Sequence, residues 1–277
     1  MTKILVTTDL SKNSKTAIRF AIQLASQRPL SLIFCQVIDI PKPTQWNDEK
    51  YNDLAKMQLK NAEIKLNRFV NAVYKQTGRR PGKYKCVVKT GILIGRDIID
   101  YALKIRADFI CMGTHGAGRI RRIMGTHTSS VLTHSPIPVL VIPKNYRRIP
   151  ISHVLYSTDL DRLGSELKKV KKFADPIKAR LSVLHYDYLY NLEEAQTKLN
   201  KIARKYQTHR IKFHFQKLQI EDTLVEHLKK AIRQFKPSLV VLFTKQDRDW
   251  YERLFLSSKS AEASFDTTKP LLTFVKK

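Results

Sequence analysis

Residues Met112-Gly113-Thr114-His115-Gly116-Ala117-Gly118, followed by Gly125-Thr126, have the types and spacing in this chain that could do chemistry. They leave the apolar run Phe109–Met112 and lead into a helix-like run, with a second short apolar run at Val139–Ile142. Glycine lets a backbone come close to a ligand. Free N–H groups and the dipole of a following helix favour an anion, so the segment has the form of a phosphate cradle. A strand-to-helix turn that merely needs glycine accounts for the same residues, and spacing alone leaves both readings open. Other chemistries find less support. His115, His127 and His134 lie near one another in sequence but lack carboxylate or thiol partners at metal-ligand spacing. There is no Gly-Lys-Ser/Thr phosphate loop, no Gly-x-Ser-x-Gly, and no double-glycine fingerprint after the first strand, where Thr7-Thr8-Asp9-Leu10 stands.

The elements that must position the loop repeat. Lys3–Leu10 (KILVTTDL) returns as His153–Leu160 (HVLYSTDL), and Ala107–Met112 (ADFICM) returns as Pro237–Leu242 (PSLVVL). A period of one domain indicates two copies of one fold rather than a solenoid. In the first copy, strands are expected near 3–8, 31–38, 84–89, 108–113 and 138–142. Helices are expected near 12–27, 49–77, 92–106 and 126–134. Apolar strands alternating with helices predict an α/β architecture: two tandem, doubly wound, Rossmann-like domains over 1–146 and 151–277. Each has a five-stranded parallel sheet with its ligand at the carboxyl ends of the strands. In the long second helix, Leu54, Met57, Ala62, Leu66, Phe69 and Val73 predict a single buried face.

Composition bounds the function. The chain of 277 residues is 43% hydrophobic, and it holds no apolar run long enough to span a bilayer. Cys35, Cys86 and Cys111 each sit in a strand-like run, as buried thiols of a reducing compartment do, and a cytoplasmic location is expected. The net charge is +27, spread over both copies. Such a field attracts polyanions, but spread charge without a basic tail is weak evidence for specific nucleic-acid recognition.

Taken in order, these pieces resemble the universal stress protein family in its tandem two-domain form. The matching residues are Thr8-Asp9, the second strand ending Cys35-Gln36-Val37-Ile38-Asp39, the Met112–Gly116 loop, and Gly125-Thr126 leading to Pro136–Val141. The resemblance implies adenine-nucleotide binding, ATP or AMP, with Mg²⁺ accompanying the nucleotide left open. By it, Asp9 would hold the adenine amino group or ribose and Val37 would pack on the adenine face. Met112, Gly113, His115 and Gly116 would approach ribose and phosphates, and Gly125, Thr126 and Thr128 would donate to the phosphates. Arg119, Arg121 and Arg122 could add charge. One departure stands out: eight residues, Ala117–Met124, separate Gly116 from Gly125, where the family's binding members have nine.

The second copy lacks the cradle. Phe243 stands where Gly113 does, Gln246 where Gly116 does, and Ser257-Ser258 replace Gly125-Thr126, with Asp247 and Asp249 nearby to repel phosphate. It is expected to be a degenerate partner in an intramolecular pseudo-dimer, with a homodimer also open. The leading expectation is a stress-response sensor that binds rather than transforms its nucleotide, with slow ATP hydrolysis at most, and passes its state to a protein partner. The alternative is a nucleotide-independent basic scaffold for nucleic acid or an acidic protein.

Overall fold

The computed structural model describes residues 1–114, 126–187, 192–206, 208–217, 224–244 and 269–276. It divides into two compact units, Met1–Arg148 and Ile149–Lys277. In the first, β1 (Thr2–Thr7), β2 (Leu30–Ile38), β3 (Tyr84–Thr90), β4 (Phe109–Gly113) and β5 (Val139–Ile142) alternate with α1 (Lys15–Ala25), α2 (Asp48–Thr77), α3 (Ile94–Lys104) and α4 (Thr126–His134). The strands lie in the order β3-β2-β1-β4-β5, all parallel. Parallel strands are buried on both faces, and Ile4, Leu5, Val6, Ile110, Cys111, Leu140 and Val141 are each at most 1% exposed. The strand order runs one way from β1 to β3 and the other way from β4 to β5. Right-handed crossovers therefore put α1 and α2 on one face of the sheet and α3 and α4 on the other. The direction reverses between β1 and β4, and in open α/β sheets a crevice for ligands opens there, at the carboxyl ends.

The second unit repeats this plan. Its strands are β6 (His153–Thr158), β7 (Arg180–Asp187), β8 (Ile211–Lys217), β9 (Leu239–Thr244) and β10 (Leu271–Val275). Its helices are α5 (Leu163–Ala174), α6 (Leu192–Tyr206) and α7 (Leu224–Phe235). The strand order is β8-β7-β6-β9-β10, again parallel. Small devices recur at matching places. Asp108 Oδ2 accepts the Lys3 N–H at 2.8 Å, and Ser238 Oγ accepts the His153 N–H at 3.0 Å. Each ties the first strand of its unit to the residue that enters the fourth.

The α/β class and the parallel sheets are those expected from the sequence. Two details differ. The first helix begins at Lys15 rather than residue 12, because Thr8 to Ser14 fold into a hydrogen-bonded turn described below. In α2, Leu66, Val70, Val73 and Tyr74 are buried, but Met57 is 55% exposed. Thirty residues of helix span about 45 Å, whereas the seven-residue strand β3 beneath spans about 23 Å, so the N-terminal half of α2 runs past the sheet. That half is held at its start by Asn47, whose side chain accepts the Lys50 N–H at 3.0 Å. Among the described residues no helix is long and apolar enough to cross a membrane.

Candidate functional site

The carboxyl edge of the first unit's sheet collects several of the residues singled out above. Thr7 pairs with Cys35 and Val6 with Cys111, so Val37 and Gly113 each lie two residues past these pairings, on the strands flanking β1. Asp9 lies two residues past the end of β1, between them. Neighbouring strands are about 4.8 Å apart, which confines the three positions to a strip about 10 Å wide. Val37 and Gly113 are half-buried, Met112 is buried and Asp9 is exposed.

The turn that carries Asp9 is built from short polar side chains. Thr8 Oγ1 accepts the Leu10 N–H at 3.0 Å and lies 2.7 Å from Ser14 Oγ, and Asp9 Oδ1 accepts the Ser11 N–H at 3.0 Å. Leu10 takes a left-handed conformation, φ 61°. Asp9 is therefore a turn former rather than the helix cap, which falls at Ser14 without a side-chain bond.

On the other side of the crevice, the Thr114 N–H donates to the Ile142 carbonyl at 2.9 Å and closes the β4–β5 ladder. Thr128 is 4% exposed, and its hydroxyl donates to the Gly113 carbonyl at 2.9 Å. That bond ties the first turn of α4 to the end of β4. A phosphate contact by Thr128 would compete for the same hydroxyl. Thr126 is the first residue of α4. His115, Gly116 and Gly125, with Arg119, Arg121 and Arg122, lie outside the described residues.

One residue was not anticipated from the sequence. A Cβ added to Gly95 of α3 would lie 2.7 Å from Ser130 Oγ and 2.9 Å from Ser130 Cβ, closer than real Cβ atoms come. The glycine thus lets α3 and α4 touch at Ser130. A glycine inside a predicted helix, costing about 1 kcal/mol against alanine, was the available signal.

Cys35 and Cys111 are buried as expected and Cys86 is half-buried, and none of the three thiols qualifies as a nucleophile. Burial pushes Cys35 up to about 12 and Cys86 up to about 11, and it raises Cys111 as well. Among the described residues no group of three or more His, Cys, Asp or Glu converges in a way that could hold a metal ion.

The second unit keeps the turn and fills the edge. Thr158 Oγ1 accepts the Leu160 N–H at 3.0 Å, Asp159 Oδ1 accepts the Asp161 N–H at 3.2 Å, and Leu160 has φ 70°. Asp159, the counterpart of Asp9, receives the Lys276 ammonium, which also reaches Asp161 Oδ2 at 3.1 Å. Burial opposes the charge on Lys276, but the two carboxylates outweigh it and hold the ammonium above its ordinary range. Phe243, at the register of Gly113, stacks on Phe274 at 4.9 Å and meets Tyr156 edge-on at 5.6 Å. The Tyr156 hydroxyl donates to Glu166 Oε2 at 2.5 Å, and burial raises that carboxyl above the usual range although the bond opposes the shift. Gln246, Asp247, Asp249, Ser257 and Ser258 lie outside the described residues.

Comparison with known proteins agrees with this architecture. The model of the universal stress protein family matches residues 1–143. A universal stress protein of Methanocaldococcus jannaschii is 27% identical over 150 residues, covering 51% of this chain and 82% of the relative. Among solved structures, a universal stress protein of Archaeoglobus fulgidus DSM 4304 superposes with a TM-score of 0.69 at 14% identity, covering 99% of this chain and 98% of its own. A functionally unknown protein of Pseudomonas aeruginosa PAO1 gives a TM-score of 0.59 at 15% identity, covering 99% and 92%. The two structures speak for the fold alone. With the family model matched from the first strand through β5 and its crevice, this chain belongs to the universal stress protein family.

Proposed function

We propose that the domain spanning 1–146 binds an adenine nucleotide, ATP or AMP, in the crevice between β1 and β4, and that the chain acts in the cytoplasm as a stress-response sensor. The observation that carries the reading is the register. It sets a carboxylate (Asp9), an apolar side chain (Val37) and a residue without a side chain (Gly113) on adjacent strands at the carboxyl edge. These three match what a base and ribose need: an acceptor for N–H or O–H, an apolar surface, and room for close backbone approach. The bond from Thr128 to Gly113 fixes the α4 N-terminus beside them, where a phosphate gains from the helix dipole. His115, Gly116 and Gly125 complete the cradle in this reading, with Mg²⁺ free to arrive on the phosphates. The mechanism is binding. We assign no acid–base pair to these residues, and hydrolysis would be slow at most. The domain spanning 151–277 is read as a degenerate copy, since Phe243 and Lys276 occupy the corresponding edge.

Isothermal titration of ATP and of AMP into the whole chain, with and without Mg²⁺, tests the reading. Saturable binding near one nucleotide per chain, weakened in Asp9→Asn and lost in Gly116→Gln, is expected. Absence of binding by either nucleotide, or binding that neither substitution changes, refutes it.

A further inference from the structure

We propose that the first unit carries a second binding surface, a basic face around the C-terminal end of α2 that docks on the phosphate backbone of a duplex nucleic acid. It is independent of the nucleotide crevice. The loop at its centre, 78–83, enters the amino end of β3, the opposite edge of the sheet from Asp9.

The first observation is one of sequence. Between Glu63 and Asp97 the chain has no acidic residue and nine basic ones. The fold then gathers them. Gly78 ends α2 in a left-handed conformation, φ 65°, and Arg79, Arg80 and Lys83 follow in an exposed loop. That loop is anchored on both flanks. Tyr74 of α2 stacks on Tyr84 of β3 at 5.4 Å, and the Tyr84 hydroxyl donates to Asn71 Oδ1 at 2.7 Å. Two further arginines are drawn in: Arg19 of α1 donates to Gln76 Oε1 at 3.3 Å, and Arg148 donates to the Thr77 carbonyl. Lys75 and Arg68, seven residues apart on α2, are exposed on the same helix.

Stabilisation of the helix end accounts for Lys75, which lies in the last turn, and for the carbonyl contact of Arg148. It does not account for Arg79, Arg80 and Lys83, which lie past the cap. None of these three makes an ion pair among the described residues. Like charges held this close repel within a Debye length, and a polyanion relieves that repulsion.

The chemistry of the face selects the polyanion. The exposed large apolar side chains beside these basic residues are Ile64, one turn before Arg68, and Ile149, next to Arg148, and two isolated residues do not form the continuous apolar face that inserts into a bilayer. The aromatic side chains at the face, Tyr74 and Tyr84, are stacked on one another and are not free to stack on the bases of a single strand. Exposed cations on a loop anchored at both flanks can meet phosphates without reading bases, which is how a duplex is gripped irrespective of sequence.

Fluorescence anisotropy of a labelled duplex of about 20 base pairs, DNA and RNA in parallel and titrated at several salt concentrations, tests the proposal. Arg79→Gln/Arg80→Gln/Lys83→Gln is compared with a control of equal charge change in the second unit, Lys168→Gln/Lys172→Gln/Lys198→Gln. Both triples alter only exposed side chains, and unchanged thermal melts establish that each is folded. Loss of three phosphate contacts makes the log–log salt slope shallower by about 2.7 for the first triple, with weaker binding at every salt. The control triple is expected to keep the wild-type slope. Three results overturn the proposal: no binding of either duplex by the wild type, equal effects of the two triples, or retention by phosphatidylserine vesicles with none by duplex.

Discussion

Gly95→Ala probes how the first unit holds α4 over its crevice. The new Cβ would lie 2.9 Å from Ser130 Cβ and 2.7 Å from its Oγ. Carbon atoms pack at about 3.5 Å or more, so the two helices must separate by about 0.6 Å. Overpacking of this kind costs about 1–3 kcal/mol, while alanine in place of glycine inside a helix returns about 1 kcal/mol. The balance is a net loss of about 1 kcal/mol. The double variant Gly95→Ala/Ser130→Gly removes both clashing atoms and keeps the propensity gain at position 95. Urea unfolding of wild type, both single variants and the double gives the coupling energy directly. It is expected to be about 1 kcal/mol or more in favour of the double, against the few tenths found for sites that do not touch. Because α4 starts at Thr126 and is bound to Gly113 through Thr128, titration of Gly95→Ala should also show weakened nucleotide affinity, restored in the double. If Gly95→Ala gains the full 1 kcal/mol and the effects simply add, the tight contact between α3 and α4 is not real and the reasoning fails.

Two further substitutions test single bonds. Thr128→Val keeps the side-chain shape and removes the donor to the Gly113 carbonyl; it should cost about 1–3 kcal/mol and show as a lower midpoint in a thermal melt. An unchanged midpoint would mean that the brace contributes nothing. Glu166→Gln tests the buried carboxyl of the second unit. Burial raises its folded value above 4.5, so its contribution to stability is full below 4.5 and is lost as pH rises through the raised value. The stability of Glu166→Gln relative to wild type should therefore increase with pH across that window in urea titrations, and a difference that does not vary with pH would refute the assignment.

Hydrophobic patterning and β-branched runs made the strands legible, because a parallel strand buried on both faces reads as a continuous apolar run. Leu32 to Cys35 and Ile110 to Met112 are such runs, and both lie inside observed strands. The start of α1 was less legible. Ser11 to Ser14 carry helix-compatible residues, but the side chains of Thr8 and Ser11 compete for the same backbone and delay the helix by a turn. The exposed half of α2 was hidden for a different reason. Amphipathic spacing shows which face could be buried and carries no information on where the sheet beneath it ends. At the crevice, the glycines and Asp9 were visible as a motif. The contact of Gly95 with Ser130 joins residues 35 apart in sequence, and the bond from Thr128 to Gly113 faces inward to the protein, so neither could be read from spacing.

The two copies separate what the fold requires from what it does not. Both keep Thr-Asp-Leu after the first strand, with the same threonine bond of 3.0 Å and the same left-handed leucine. The turn alone therefore explains an aspartate at position 9 as well as at 159, and Asp9 by itself argues little for a ligand. Gly113 is different. Its counterpart Phe243 sits at the same register, paired with Phe274 as Gly113 is paired with Ile142. A parallel strand at this position accepts a large aromatic residue, so the ladder does not demand a glycine. In the second unit the aromatic ring is absorbed by Phe274 and Tyr156, and the aspartate is neutralised by Lys276, one residue past β10 and two strands away. In the first unit Gly113 brings no side chain to this edge, and the residue corresponding to Lys276, Lys144, is exposed. What the first copy keeps at Gly113 is a backbone without a side chain, and the proposed nucleotide would use the close approach that this allows.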